Sequence, residues 1–380
     1  MKRCILSLFS LVLVLSLVLS GCSQAAPSTS TTAKPPVSTP PSSSIPASTT
    51  SAQPTASASP HAKVEIRLMS AAFGGFSYIF GAGLAEVINK NSTWLTATNQ
   101  EVPGGMVNIT KDYDDPAIKA MTLRVVSNTV FWSAIQGVAP FDKKYNPKAV
   151  LTFNVPLNVF VTTDPKIQSI SDFPGKKVMV GGRGSSVSLD TQFMLDSCYG
   201  VWDTTDKQFL AFAAAKDNFM DGLIPVVEGA ASWDGGSNYS LRPDMIEVIR
   251  LKSGIHLIGM SPESIAAGAK KTGWPVATMK IPAKSFSATL PETDLTTFGG
   301  QLIWAAYPEM PKDVVYEITR IVNENRDYFV KLNASFKLLE SPDVMGFLPA
   351  ANESEVHPGA LQYYKDKGLK VSIGGASPIK

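Results

Sequence analysis

The stretch that most restricts what this chain can become runs from Val178 to Tyr199. Val178-Met179-Val180 is a short unbroken apolar run, as expected of a strand covered on both faces. Gly181-Gly182-Arg183-Gly184 ends it, and Ser185-Ser186 follow, where a serine oxygen caps a helix by accepting from an orphan backbone N–H. Val187, Thr191, Met194, Leu195 and Cys198 then recur at helical spacing. The unit is strand, glycine loop, helix start. A helix start offers unpaired N–H groups and a partial positive charge, which suit an anion. The glycines let that anion come close to the backbone, and Arg183 adds a planar fork that pairs with a carboxylate. We therefore take Arg183, Ser185 and Ser186 as one wall of an anion site. The competing reading makes Arg183 a solvated loop residue and Ser185 a cap only.

The same unit recurs upstream. Val64–Met69 alternates as a strand, Ser70–Phe76 is a small-residue turn, and Ser77–Asn89 predicts a helix. Gly75, Phe76 and Tyr78 fall at that junction, to wall a ligand or to pack in the core. Gly81-x-Gly83 meets Glu86 where a dinucleotide fingerprint needs its third glycine, and no Gly-Lys-Ser/Thr follows. Leu95–Asn99 precedes Pro103-Gly104-Gly105 and a helix carrying Asn108. Leu123–Ser127 precedes Asn128 and a helix over Val130–Gln136 that stops at Gly137. Three such units in series imply a parallel sheet with its loops at one edge, where ligands of open α/β sheets bind. Asn108 and Asn128 share that edge, as ligand contacts or as turn and cap residues. Further along, Val159–Val161, Met245–Arg250, Ile255–Ile258 and Thr297–Trp304 read as strands. Ser261–Lys270 and the segment after Pro311 read as helices. Trp233 lies in a loop-like stretch, Glu228–Pro243, either closing over a ligand or packing beneath the loop.

The first sixty residues differ in kind. Lys2-Arg3 precede the apolar run Ile5–Ser20, which is too short for a comfortable span and fits a signal-peptide core. It ends in Leu19-Ser20-Gly21-Cys22, which resembles a bacterial lipobox and predicts a lipid on Cys22. Ser23–Pro60 is nearly all Ser, Thr, Pro and Ala, the composition of a flexible tether. The remaining length of the 380-residue chain suits one to three domains. A net charge of +2 argues against a dedicated nucleic-acid binder. Of three cysteines, Cys4 and Cys22 lie in the leader, which leaves Cys198 without a partner for a disulfide. His61, His256 and His357 are isolated, so no metal site is expected. Gly184-Ser185-Ser186-Val187-Ser188 lacks the second glycine of a nucleophile elbow, and no catalytic residue is expected.

Several segments together carry a resemblance. They are SAAFGGFSYIFGAGLAEVINK (70–90), EVPGGMVN (101–108), SNTVFWSAIQG (127–137), Ser171-Asp172-Phe173-Pro174-Gly175-Lys176-Lys177, Pro311–Thr319 and VHPGALQYYKDKG (356–368). They resemble the TAXI-type solute receptors of TRAP transporters, and the likeness covers nearly all of 63–369. Two departures stand out. Gly182-Arg183-Gly184-Ser185-Ser186 replaces the family's Pro-Gly-Ser-Gly-like loop, and Pro225 stands where an Asp is common. The resemblance implies an α/β, periplasmic-binding-protein-like fold, type II-like, with two α/β lobes and a ligand cleft between them. The expected organisation is a leader over 1–22, a tether over 23–62, lobe I over 63–155 plus 286–380, and lobe II over 156–285. It further implies a monomeric, cofactor-free, non-enzymatic protein lipid-anchored on the outer face of the bacterial cell membrane. That protein would bind a small carboxylate solute, an amino acid or a dicarboxylate such as glutamate or 2-oxoglutarate, for a TRAP-type integral membrane subunit. A lipoprotein of the same fold serving an ABC permease or a sensor kinase is the alternative. A secreted hydrolase is less well supported.

Overall fold

The computed structural model describes residues 61–374, so the leader, Cys22 and the tether up to residue 60 lie outside the described residues. In chain order the strands are β1 (Val64–Met69), β2 (Leu95–Gln100), β3 (Thr122–Ser127), β4 (Lys148–Leu157), β5 (Phe160–Thr162), β6 (Lys177–Met179) and β7 (Asp206–Gln208). They continue as β8 (Val226–Glu228), β9 (Ala231–Trp233), β10 (Tyr239–Leu241), β11 (His256–Ile258), β12 (Ala277–Ile281), β13 (Leu295–Gly299) and β14 (Leu302–Ala306). The α-helices are α1 (Phe76–Asn91), α2 (Gly105–Thr110), α3 (Pro116–Ala120), α4 (Asn128–Gln136), α5 (Ser186–Gln192) and α6 (Phe212–Met220). After them come α7 (Pro243–Leu251), α8 (Pro262–Thr272), α9 (Lys312–Glu324), α10 (Arg326–Leu332) and α11 (Pro358–Asp366).

These elements build two sheets, in keeping with the α/β class expected. The larger runs β10-β9-β4-β14-β3-β1-β2, with β13 joined to β4 and β12 to β13. Its β2, β1 and β3 are parallel, as three strand-loop-helix units require, and β14 returns antiparallel between β3 and β4. The smaller runs β11-β5-β8-β6-β7, with β6 parallel to both β7 and β8. The larger sheet's core centres on Phe80 of α1. Its ring stacks on Phe329 at 4.3 Å, lies 4.5 Å from Phe153 and meets Phe336 edge-on at 5.2 Å. Each fully buried Phe contributes about 1.5–3 kcal/mol.

Three elements differ from the sequence reading. Met245–Arg250 lies within helix α7, not a strand. Pro243 sits in its first turn with Asp244, and Met245 and Val248, three residues apart, are buried while Ile246 faces solvent. Thr297–Trp304 spans two strands, broken at Gly300-Gln301, where Gly300 passes so close to Asn128 that a Cβ would fall 1.9 Å from its Oδ1. The stretch Glu228–Pro243 holds an antiparallel hairpin, β9 and β10. The helix after Ser185 keeps the expected buried side chains Met194 and Leu195, but past Gln192 it widens to a π-type coil over Phe193–Cys198.

His357 is a structural residue. It precedes α11, where Nδ1 accepts from the Gly359 N–H at 3.2 Å and Nε2 lies 3.1 Å from the Met310 carbonyl. The neutral ring with its proton on Nε2 satisfies both contacts. Burial, first among the causes, pushes its pKa down from 6.5 to about 4. The charged form is thus disfavoured by folding, and this stability is present above pH 6.5 and lost as pH falls towards 4. We expect the melting temperature to drop over that window. The ceiling is roughly 3 kcal/mol, at about 1.36 kcal/mol per pKa unit. His357→Asn, which can still cap the helix, should flatten the drop in a pH-resolved thermal melt. An equal slope in both proteins would assign the acid lability elsewhere.

Candidate functional site

The loops that leave the carboxyl ends of β1, β2, β6, β8 and β10 converge on one cavity of about 520 Å³. Convergence of this kind is where open α/β sheets bind ligands. The turn after β1 supplies Ser70, Gly75, Phe76 and Ser77, and the loop after β6 supplies Arg183, Ser185 and Ser186. Pro156 and Asn158 close the cavity where the chain leaves β4.

The two glycine loops touch. A Cβ on Gly104 would lie 3.1 Å from Ser185 Cα, and one on Gly105 would lie 2.2 Å from Ser186 Oγ. Gly104 adopts φ 132°, a conformation that favours glycine. The N–H groups of Met106 and Val107, in the first turn of α2, donate to the Gly184 carbonyl at 3.1 and 3.3 Å. The Thr129 hydroxyl of α4 donates to Asp190 Oδ1 of α5 at 2.8 Å. Elements of the larger sheet thus grip elements of the smaller one directly along the cavity's edge.

The anion-favouring groups are as follows. Helix α1 starts after its N-cap residue Gly75 with no side-chain cap and no acidic residue in its first turn, and Gly75, Phe76 and Ser77 line the cavity. Arg183 is exposed at the rim, its guanidinium 3.9 Å from the centre of the Phe209 ring, a cation–π contact that holds it in place. The Ser185 hydroxyl is already engaged: it donates to the Gly182 carbonyl at 2.7 Å and accepts from the Ser188 N–H at 3.0 Å. Ser185 is therefore the helix cap, while Ser186, which also lines the cavity, turns its Oγ close to Gly105.

Other residues singled out from sequence lie elsewhere. Asn108 is fully buried and is absent from the cavity lining. Its Nδ2 points at the carbonyls of Met69, Ser70 and Val125 at 3.1, 2.8 and 2.7 Å, which locks β1 to β3. Asn128 starts α4 and donates from Nδ2 to the Pro275 carbonyl at 3.1 Å. Tyr78 packs edge-on against Phe73 at 5.1 Å. Trp233 is buried in β9, and its Nε1 donates to the Gly236 carbonyl at 2.8 Å, which fits packing beneath the loop.

The wall that sequence reasoning missed is acidic and buried. Arg242 Nη1 donates to Glu228 Oε2 at 3.0 Å, and Nε donates to Asp244 Oδ1 at 2.7 Å. Phe212 covers the guanidinium at 3.8 Å and also abuts Gly75, whose Cβ would meet it at 2.8 Å. Glu228, Arg242, Phe212 and Asp190 all line the cavity. Burial raises the pKa of Glu228 against the pull of Arg242. No spacing in the sequence ties Asp190, Glu228 and Arg242 together; a lone buried charge at a strand's end was the only available signal. Among the described residues no group of three His, Cys, Asp or Glu side chains is placed to hold a metal ion.

A two-sheet α/β protein with its loops gathered round a cavity has the design of a binding protein. The chain belongs to the NMT1-like family, whose sequence profile matches residues 68–368, and this is the family of the TAXI-type solute receptors. It is accordingly a solute-binding protein and not an enzyme. Similar solved structures include the malate-bound MatC from Rhodopseudomonas palustris, at 14% identity and TM-score 0.46 over 74% of this chain and 89% of that one. The MOPS-bound alkanesulfonate-binding protein SsuA from Xanthomonas axonopodis pv. citri is 11% identical, with TM-score 0.42 over 80% and 85%. An adipate-bound R. palustris protein is 11% identical, with TM-score 0.43 over 72% and 87%. No curated protein matches the chain.

Asp190 yields a stability prediction. Burial raises its pKa from 3.8 to about 7, and the Thr129 hydrogen bond only partly opposes this. An acid whose pKa folding raises costs nothing below its ordinary pKa, and the cost grows with pH until it levels off above about 7. Asp190→Asn still accepts the Thr129 hydroxyl. It should therefore raise the melting temperature by a few degrees at pH 8 and leave it nearly unchanged at pH 4. A lower melting temperature at pH 8 would show that the carboxylate stabilises the fold.

Proposed function

We propose that this protein is an extracytoplasmic receptor that captures a small carboxylate-bearing solute and delivers it to the integral membrane subunit of a TRAP-type transporter. The solute class is an amino acid or a dicarboxylate such as glutamate or 2-oxoglutarate. What supports this reading is that the start of α1, which has no side-chain cap, and residues Arg183 and Ser186 line one cavity. A carboxylate placed among them gains a cation, a hydroxyl and a set of helix N–H groups. In this reading 63–155 with 286–380 forms one lobe and 156–285 the other, and the solute closes them by a hinge motion. The loop contact between Gly104-Gly105 and Ser185-Ser186 is then the closed state of the cleft. Lipid on Cys22 holds the receptor at the outer face of the membrane, and the Ser/Thr/Pro-rich segment gives it reach.

Thermal-shift screening of small carboxylates tests the ligand class, because a solute that binds only the native state raises the melting temperature with its concentration. A charge-assisted hydrogen bond is worth about 1.5–3 kcal/mol. Arg183→Ala should therefore weaken the solute found by about ten- to hundredfold in calorimetric titration. Ser186→Ala should weaken it less. If both variants fold and bind like the parent, the carboxylate sits elsewhere. For the anchor, Cys22→Ser should release the protein or leave its leader uncleaved. Membrane retention with the leader removed would overturn that part.

A further inference from the structure

Beyond the anion-favouring side, the cavity has an opposite chemistry that the reading above leaves unused. Glu228 is 1% exposed and lines the cavity, yet its Oε1 has no hydrogen-bond partner, whereas Oε2 is held by Arg242. An unsatisfied buried acceptor costs about 1–3 kcal/mol, more when it is charged, so a fold keeps one where something else supplies the donor. Asp190 is also more than nine-tenths buried and lines the same cavity, and among the described residues its one side-chain hydrogen bond comes from the Thr129 hydroxyl to Oδ1.

The charges here do not cancel. Arg242 is one cation against two carboxylates, Glu228 and Asp244, so that cluster is net negative before Asp190 is added. Arg242 spends Nε, Nη1 and Nη2 on those two residues, which leaves it fixed as their positioning residue. Asp190 is the only titratable group on α5, and α4, which faces it, carries none. Among the described residues no cation other than Arg242 is paired with Glu228. An anion placed against this wall would meet repulsion. A protonated amine would satisfy the orphaned Glu228 oxygen with its N–H donors and pair with Asp190.

We propose that Glu228 and Asp190 form an amine-holding subsite, so that the solute carries a protonated amine as well as the carboxylate assigned above. The inference rests on the carboxylate reading, since it takes the opposite side of the same cavity for the second charge. It selects zwitterions over dicarboxylates of the same length. The acids recognise the amine and Arg183 recognises the carboxylate, so a solute with only one of the two groups leaves one side unsatisfied.

Titration calorimetry with straight-chain dicarboxylates of four to six carbons, and with their α-amino and ω-amino counterparts, tests it. In the parent protein we expect an amine-bearing member to bind at least tenfold more tightly than the diacid of the same length. In Asp190→Asn that preference should shrink severalfold, while diacid binding holds or improves. Glu228→Gln should act in the same direction, and the Asp190 variant serves if that one fails to fold. Equal or tighter binding of the diacids at every length overturns the subsite and leaves the carboxylate reading standing. A preference unchanged in both variants does the same. Binding by no member of the series removes the carboxylate reading and this inference with it.

Discussion

A guanidinium with almost no access to water holds one side of the cleft together. Placing an ion in a protein interior costs several kcal/mol, and only close, well-aligned partners offset it. Arg242 has them: Glu228 at the end of β8, Asp244 in the first turn of α7, and the Phe212 ring at the start of α6. Three elements are thereby pinned to one point. Because Phe212 also presses on Gly75, the same cation sets how closely this wall approaches the uncapped start of α1. Loss of the guanidinium would leave two carboxylates facing each other at the edge of the cavity, one of them wholly buried. The geometry of the site therefore depends on an interaction whose net contribution to stability is small or negative.

The opposite edge is held by shape. Gly104 brings its backbone against that of Ser185, and Gly105 packs against the Ser186 hydroxyl, so a Cβ at either position would force a shift. Helix α2 donates its first N–H groups to Gly184, so the carbonyl of one loop occupies the helix start of the other. That contact gives the start of α2 a partner, whereas α1 starts on the cavity with no side-chain cap. The Thr129–Asp190 bond spans the same edge, and it links a cavity acid to a helix of the larger sheet. A change of charge at Asp190 would therefore be felt by the contact that holds the two halves together.

Much of this was legible in the chain itself. The run Val178–Ser186 gave a strand, a glycine loop and a capped helix because each step is local: an apolar run, positive-φ glycines and a serine N-cap. Arg183 and Ser186 followed because they are next to that signal in sequence. Asn108 and Asn128 have the right edge and the right chemistry, yet their amides are directed at backbone carbonyls. Those carbonyls, Val125 of β3 for Asn108 and Pro275 ahead of β12 for Asn128, leave no mark in the sequence near the asparagine. The reverse holds for Glu228 and Arg242, fourteen residues apart around a hairpin that reads as loop. The segment Met245–Arg250 shows the same limit on a smaller scale. Its apolar residues satisfy a strand pattern as well as a helix pattern, and Pro243 at the first turn decides for the helix.

Burial without partners does not by itself mark a binding group. Arg124, in β3, is as buried as Glu228, and its Nε and Nη2 have no hydrogen-bond partner. Its guanidinium lies over the Tyr307 ring at 5.1 Å and donates to the Met69 sulfur at 3.6 Å. Burial lowers its pKa, as it would for any cation taken from water. What separates the two is place. Arg124 is not among the residues lining the cavity described above, and it has the Tyr307 ring beside it and the acids Asp112 and Glu309 within electrostatic reach as compensation. Glu228 faces a space large enough for a small solute, in a cluster whose charges already fail to cancel. The same physical cost is a packing matter in one position and a recognition element in the other. The difference is visible only once both the partners and the space beside them are counted.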